Sequence, residues 1–197
     1  MLVKRGQWKI FVLTLIYILI FIFVFLSRRN YEFVLYVFVI IFFFVLILFT
    51  NKKVNYPNSV LWGLFFWGFL HMLGGGILID GKRLYEFILF NFSETYSILR
   101  YDQVVHIFGF FVATLVVYVL LKPLLRVDLK KWTSLSVVVI MAGFGFGALN
   151  EVVEFFATVI TPETGVGGYL NTSLDLVSNL IGAILAMVYI RLKKGKI

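Results

Sequence analysis

Few side chains in this 197-residue sequence can do chemistry near neutral pH: ten Asp and Glu, two His and no Cys. The absence of cysteine removes disulfides, thiol nucleophiles and thiolate metal ligands. What remains falls into pairs. Asp102 and His106 are spaced i,i+4, Glu151 and Glu154 i,i+3 just after Asn150, and Asp175 and Asn179 i,i+4. On a helix each pair shares one face. A histidine among several carboxylates is a hard or borderline donor set, suited to Zn, Mn or Mg, with His106, Glu151, Glu154 and Asp175 as ligands. The same groups could do metal-free acid–base work. Glu151 or Glu154 would then be the general base, His106 a proton shuttle, and Asp102 and Asp175 orienting groups. A third reading is structural, with Asp102 orienting His106 and Glu151 bonded to Asn179 across helices.

The elements that must position these groups are apolar. Hydrophobic residues make up 61% of the chain, aromatic residues 19% and charged residues only 14%. Runs of about twenty apolar residues without period-2 alternation indicate membrane-spanning helices rather than a barrel. Six spans are predicted, near residues 9–27, 32–50, 59–79, 102–121, 134–160 and 174–190. The fold class is thus an all-α polytopic bundle in a single domain, 1–197. Residues 1–58 form two structural spans without internal ionisable groups, and 59–192 a four-span core. The first run ends in Ser27-Arg28-Arg29 without a small-residue cleavage pattern, so it reads as a retained span. The triplet Gly74-Gly75-Gly76 is expected to loosen or break the end of span three, after His71. Leu84, Phe87, Ile88, Phe92 and Tyr96 lie at roughly helical spacing, which predicts an interfacial amphipathic segment over 81–101.

With six spans the termini share a side. Thirteen of the 18 basic residues fall on that side, among them Lys4, Arg5, Lys52, Lys53, Lys122, Arg126, Lys130, Lys131 and Lys194. Positive charge marks the cytoplasmic face, predicting a plasma (inner) membrane protein with cytoplasmic termini. Nine of the ten acids belong to the outer half, Asp128 being the exception. The net charge of +8 is thereby assigned to helix flanks rather than to nucleic-acid binding, and the basic tail to anionic headgroups.

At ~1.5 Å rise per residue, His106 and Asn179 lie about 6 Å inside their helix starts, Glu154 about 9 Å and Glu151 about 13 Å from the outer end of span five. His71 falls about 13 Å from the outer end of span three. One outward-opening cluster is therefore expected, with Asn150, Asn171 and Asn179 lining it. His71 reads either as a packing histidine or as part of the cavity floor. Gly109, Gly147 and Gly182 would let spans four to six approach closely. Gly143-Phe-Gly-Phe-Gly147 follows no strand and is read as a packing surface, not a nucleotide loop. The loop from Thr161 to Gly168 is either a lid or a plain connector.

Tyr101-Asp102-Gln103-Val104-Val105-His106 with Gly109-Phe110, Glu151-Val152-Val153-Glu154, and Asp175 seven residues before Gly182-Ala183 resemble the YjdF-type inner-membrane family. His71-Met72-Leu73-Gly74 and Arg100 fit the same pattern, so the resemblance covers about residues 60–190. The chain is more distantly similar to VanZ-like membrane proteins, some linked to glycopeptide-antibiotic resistance, in which an Asp-x-x-x-His is followed by an Asp-x-x-x-Asn. In the YjdF-type pattern an Asp stands four residues before the equivalent of Asp175, with Trp nearby. This chain has Asn171 there and Tyr169 in place of nearby Trp. The resemblance thus implies a site with one acidic ligand fewer, and no established activity.

Three functional expectations follow. One is a hydrolase or transferase acting on a lipid or envelope precursor. The second is a binding or assembly protein whose polar cluster only fixes helix packing. A transporter fits less well, because the cytoplasmic halves of spans four to six offer little beyond Thr114, Tyr118, Ser134 and Ser136.

Overall fold

In a computed structural model, residues 3–4, 6–93, 95–96, 98–125, 132–161, 164 and 166–197 are described. Among these residues, six helices are long and apolar enough to cross a membrane: α1 (Trp8–Ser27), α2 (Tyr31–Val54), α3 (Asn58–Gly76), α4 (Tyr101–Leu121), α5 (Trp132–Ile160) and α6 (Tyr169–Leu192). The chain is an all-α polytopic bundle. Arg5, Arg126, Lys130, Lys131 and Asp128, which contribute to the orientation argument, lie outside the described residues.

Local signals set the helix ends. The Asn30 side chain accepts from the Phe33 amide at 3.3 Å at the start of α2, as an N-cap does. Asn55 ends that helix in the left-handed conformation (φ 58), and Pro57, which fits just before a first helical turn, precedes α3. Before α4 the Gln103 side chain accepts the Leu99 and Arg100 amides at 2.6 and 3.2 Å. That closes the backbone where Asp102 must sit.

Helix α4 is the hub, packing against α3, α5 and α6, while α1 packs against α2 and α3. One apolar core joins Val60, Leu61, Leu115, Tyr118, Val139, Met187 and Ile190. A second joins Phe21, Phe25, Phe33, Tyr36, Val37 and Met72. Polar ties close the N-terminal helices: Gln7 Nε2 donates to the Tyr56 carbonyl at 3.0 Å, and Asn51 Nδ2 to Gln7 Oε1 at 2.7 Å. At the opposite end of α1, Arg28 Nη1 reaches the Gly76 carbonyl at 2.6 Å.

Several expectations change. The segment after α3 is not a helix. Strands β1 (Leu78–Ile79) and β2 (Lys82–Arg83) form a hairpin, followed by a 3-10 turn over Leu84–Glu86 and a bridge from Ile88 to Arg100. Asp80-Gly81 explains this, because both residues take positive φ (51 and 79), as a two-residue hairpin turn requires. Nor do the glycines break α3, which runs to Gly76. Gly74 and Gly75 instead leave room for two rings: a side chain there would collide with Tyr85 and Phe33 respectively. Gly147 does lie against Asn179, and Gly182 against the α4 backbone at Ile107 and Phe111. Gly109, however, makes room for the Trp67 indole of α3 rather than for α5 or α6.

Candidate functional site

Helices α4, α5 and α6 bring Asp102, His106, Asn150, Glu151, Glu154, Asn171, Asp175 and Asn179 to one level. The His106 ring is at the centre. Its Nδ1 lies 2.9 Å from Asn179 Oδ1, and the same amide donates through Nδ2 to Glu151 Oε1 at 3.4 Å. With Asn179 so oriented, Nδ1 carries a proton and donates, which leaves Nε2 as the nitrogen turned toward the carboxylates. That nitrogen faces Asp102 Oδ1 at 3.5 Å and Glu154 Oε1 at 3.9 Å. The separations of these oxygens from Nε2 exceed the 2.7–3.2 Å of a normal hydrogen bond. They lie close to the ~3.4 Å edge expected of ligands held ~2.1 Å from one tetrahedral metal.

Asparagines serve the carboxylates. Asn150 Nδ2 donates to Glu154 Oε1 at 2.8 Å. Asn171 Nδ2 donates to Asp175 Oδ2 and lies 3.5 Å from Asp102 Oδ2. Where the family pattern has an acid, this chain therefore has a donor that ties two acids together. Yet Glu151 Oε2 and Asp175 Oδ1 are buried without a hydrogen-bond partner among the described residues. Asp175 is 0% exposed and Glu151 8%. Among the described residues no Lys or Arg reaches Asp102, Glu151, Glu154 or Asp175 within ion-pair distance. Four carboxyl groups thus surround one imidazole in an apolar bundle, a costly set for such a medium. Two overlapping groups bring donor atoms within 4.8 Å of one another: Asp102, His106 and Asp175, and His106, Glu151 and Glu154.

A cavity of ≈ 40 Å³ adjoins the cluster, lined by Asp102, Glu154 and Asn171 together with Glu32, Tyr36, His71, Arg83 and Tyr85. By the 10–15 Å³ each water needs, it has room for about three or four waters. Val166 also lines it, whereas residues 162, 163 and 165 of the lid-or-connector loop lie outside the described residues. His71 combines both of its expected roles, packing on Phe33, Tyr36 and Tyr85 while lining the cavity. Tyr85 holds it: the phenol donates to the His71 carbonyl at 3.0 Å and bonds Nδ1 as well. One hydroxyl proton cannot serve both, so Nδ1–H is the donor of the second bond and Nε2 keeps its lone pair. Burial, and then the charges of Asp102 and Glu154, push the Tyr85 phenol well above its ordinary pKa, so it stays a donor.

Helix α2, read as structural, also borders this cavity. Its Glu32, buried at the helix start, pairs with Arg83 Nη1 at 2.7 Å, and Tyr36 lies on the same face one turn on. The i,i+4 spacing that exposed the other pairs is present here too, but Glu32 looks like a flanking charge because Arg28 and Arg29 precede it. Tyr85 and Arg83 leave a fainter trace. Only the Asp80-Gly81 turn signals that the chain doubles back toward α3.

A family model described as "Predicted membrane protein (DUF2238)" matches residues 9–195. The match agrees with the YjdF-type resemblance and does not extend to the VanZ-like one. No curated protein and no solved structure matches the chain. The matched span takes in α1 from its second residue, the other five membrane-length helices whole and every residue of the His106 cluster, and the chain belongs to this family of membrane proteins.

Proposed function

We propose that the His106 cluster is a divalent-metal site of a membrane hydrolase or transferase acting on a lipid or envelope precursor. The observation that carries this reading is that donor atoms of Asp102, His106 and Asp175 lie within 4.8 Å of one another, with Nε2 3.5 Å from Asp102 Oδ1. One imidazole and two carboxylates at such spacings suit a shared divalent cation. His106, Asp102 and Asp175 are the ligands, and a bound Zn, Mn or Mg ion supplies Lewis acidity toward an ester or phosphoester oxygen. Glu154 borders the cavity, where it acts as general base and takes the proton of the attacking water or hydroxyl. Glu151 and Asn179 orient the ring through Nδ1, as outer partners of metal-bound histidines do. On this reading 1–197 is one integral membrane domain in the inner membrane. The termini are cytoplasmic and the cluster opens outward, as the basic residues imply.

The amide network also favours a second reading, in which the cluster only locks the helices together. Elemental analysis of the purified protein separates the two. The metal reading expects about one divalent ion per chain, lost in Asp175→Asn and retained, without turnover, in Glu154→Gln. A wild-type protein free of metal after purification in metal-supplemented buffer, with unfolding unmoved by added Zn, Mn or Mg, would leave only the structural reading.

A further inference from the structure

We infer that the apolar groove between α2 and α5 holds the hydrocarbon chain of a lipid whose polar end reaches the His106 cluster. This rests on the proposed function for the chemistry at the polar end, but the groove is a separate feature. Its volume is ≈ 240 Å³, well above the ~150 Å³ of an apolar cavity that takes up benzene. Its walls include Ile40 and Phe44 of α2, Phe65 of α3, Val117 of α4, and Phe146 and Leu149 of α5.

The groove and the polar cavity meet at shared residues. Tyr36 and His71 line both. Asn150 lines the groove and donates to Glu154, which lines the cavity. An occupant therefore changes from apolar to polar surroundings at one level of the bundle. Below that level the walls are mostly aliphatic and phenyl side chains; the Thr14 hydroxyl already donates to the Ile10 carbonyl at 2.8 Å, which leaves Tyr17 and Trp67 as the residues with a polar atom to offer. Such walls reject a sugar or peptide and accept methylenes.

Length and access fit the same occupant. The groove runs along α3 from Leu61 to His71 and along α4 from Phe110 to Leu120. Ten residues of helix are ~15 Å, half of a ~30 Å hydrocarbon core and so about the length of one acyl chain. The side entrance is the gap between α2 and α5. Helix α2 packs on α1 and α3, helix α5 on α4 and α6, and no comparable interface joins α2 to α5. Leu149 and Phe43 at its rim are half exposed.

The experiment is photo-crosslinking in vesicles of phosphatidylethanolamine and phosphatidylglycerol doped with a phosphatidylglycerol carrying a diazirine near the end of one acyl chain. Peptide mapping of the wild-type protein is expected to place adducts on groove residues such as Ile40, Phe44 and Val117. Ala113→Phe, which fills the groove from α4, and Leu149→Trp, which blocks its rim, are each expected to cut those adducts about tenfold, a loss of about 1.4 kcal/mol of binding. Adducts confined to lipid-facing positions such as Phe42 and Phe49, or groove adducts undiminished in correctly folded Ala113→Phe and Leu149→Trp proteins, would overturn the inference. The two proposals fail separately. Groove adducts on a protein that binds no metal sink the metal reading alone, and metal binding without groove adducts sinks this one alone.

Discussion

Replacing Asp175 by Asn separates a metal site from a structural network through the sign of its effect. Asp175 is fully buried, with one oxygen bonded by Asn171 and the other without a donor among the described residues. An Asn can keep the first bond by placing its amide oxygen toward Asn171. Its NH2 then occupies the place of the lone acceptor, on the side of a cluster rich in carboxylate oxygens. The substitution also removes one of four crowded carboxyl groups. Relieving an orphaned buried acceptor is worth about 1–3 kcal/mol, so the metal-free variant should be more stable than the metal-free wild type by roughly that amount.

Metal reverses the comparison. At a free metal concentration of ~100 Kd the wild type gains about 2.7 kcal/mol by mass action. Loss of a ligand should weaken binding at least as much as loss of an outer partner, ~100-fold at the upper end. At the same metal concentration the variant then gains only about 0.4 kcal/mol. Adding metal should therefore shift the stability difference by about 2.3 kcal/mol in favour of the wild type. Tryptophan-fluorescence unfolding in detergent, with chelator and with each of Zn, Mn and Mg, measures both halves. A metal-free variant less stable than wild type, together with no metal-dependent shift in either protein, would refute the reasoning and make Asp175 a plain hydrogen-bond acceptor.

Other perturbations test neighbouring parts of the argument. Asn179→Ala orphans both the His106 Nδ1–H and a Glu151 oxygen, so unfolding should show a loss of about 1–3 kcal/mol for each group left unpaired; a neutral result would mean the amide does not orient the ring. Gly182→Ala drives a methyl into the Ile107 carbonyl, whereas Gly145 has nothing within 4 Å of an added Cβ. The first should destabilise by 1–3 kcal/mol or more and Gly145→Ala should stabilise by up to ~1 kcal/mol, both read by the same unfolding assay. Because the chain lacks cysteine, Lys82→Cys and Lys194→Cys provide clean topology probes. An impermeant maleimide added outside intact cells should label the first and not the second, and the opposite pattern would invert the orientation drawn from the basic residues.

The fold was largely legible because a bilayer constrains the backbone so severely. Runs such as 32–50 admit one structure, and the helix containing them differs only at its ends, where α2 continues through Asn51-Lys52-Lys53 to Val54. The cluster was legible because charge is rare in such helices, so Asp102, His106, Glu151, Glu154 and Asp175 stand out against their neighbours. What sequence spacing could not carry was the path between spans. Leu84, Phe87 and Ile88 match a helical period, but a two-residue turn at Asp80-Gly81 overrides that pattern and swings Tyr85 back onto Gly74. Tyr36 and Trp67 were hidden for a different reason. Aromatic side chains are abundant here, 19% of the chain, so no single ring is conspicuous until its contacts are known.

The site and the packing are one construction. His106 and Ile107 are adjacent on α4, and Ile107 offers its carbonyl to the surface of Gly182 on α6. Asn179 lies three residues before Gly182 and, on its other side, against Gly147 of α5. A helix presents residues three apart on one face, so the two glycine contacts and the His106–Asn179 hydrogen bond fall within one turn of α6. Close backbone approach is therefore what brings an imidazole, an amide and the Glu151 carboxylate within reach. Any side chain that wedges α4 from α6 should loosen the ring orientation before it unfolds the bundle. This gives the Gly182→Ala variant a second signature: metal affinity should fall even under conditions where the protein remains folded. Weakened packing with unaltered metal affinity would show instead that the donor atoms are held by their own helices and owe nothing to the contact.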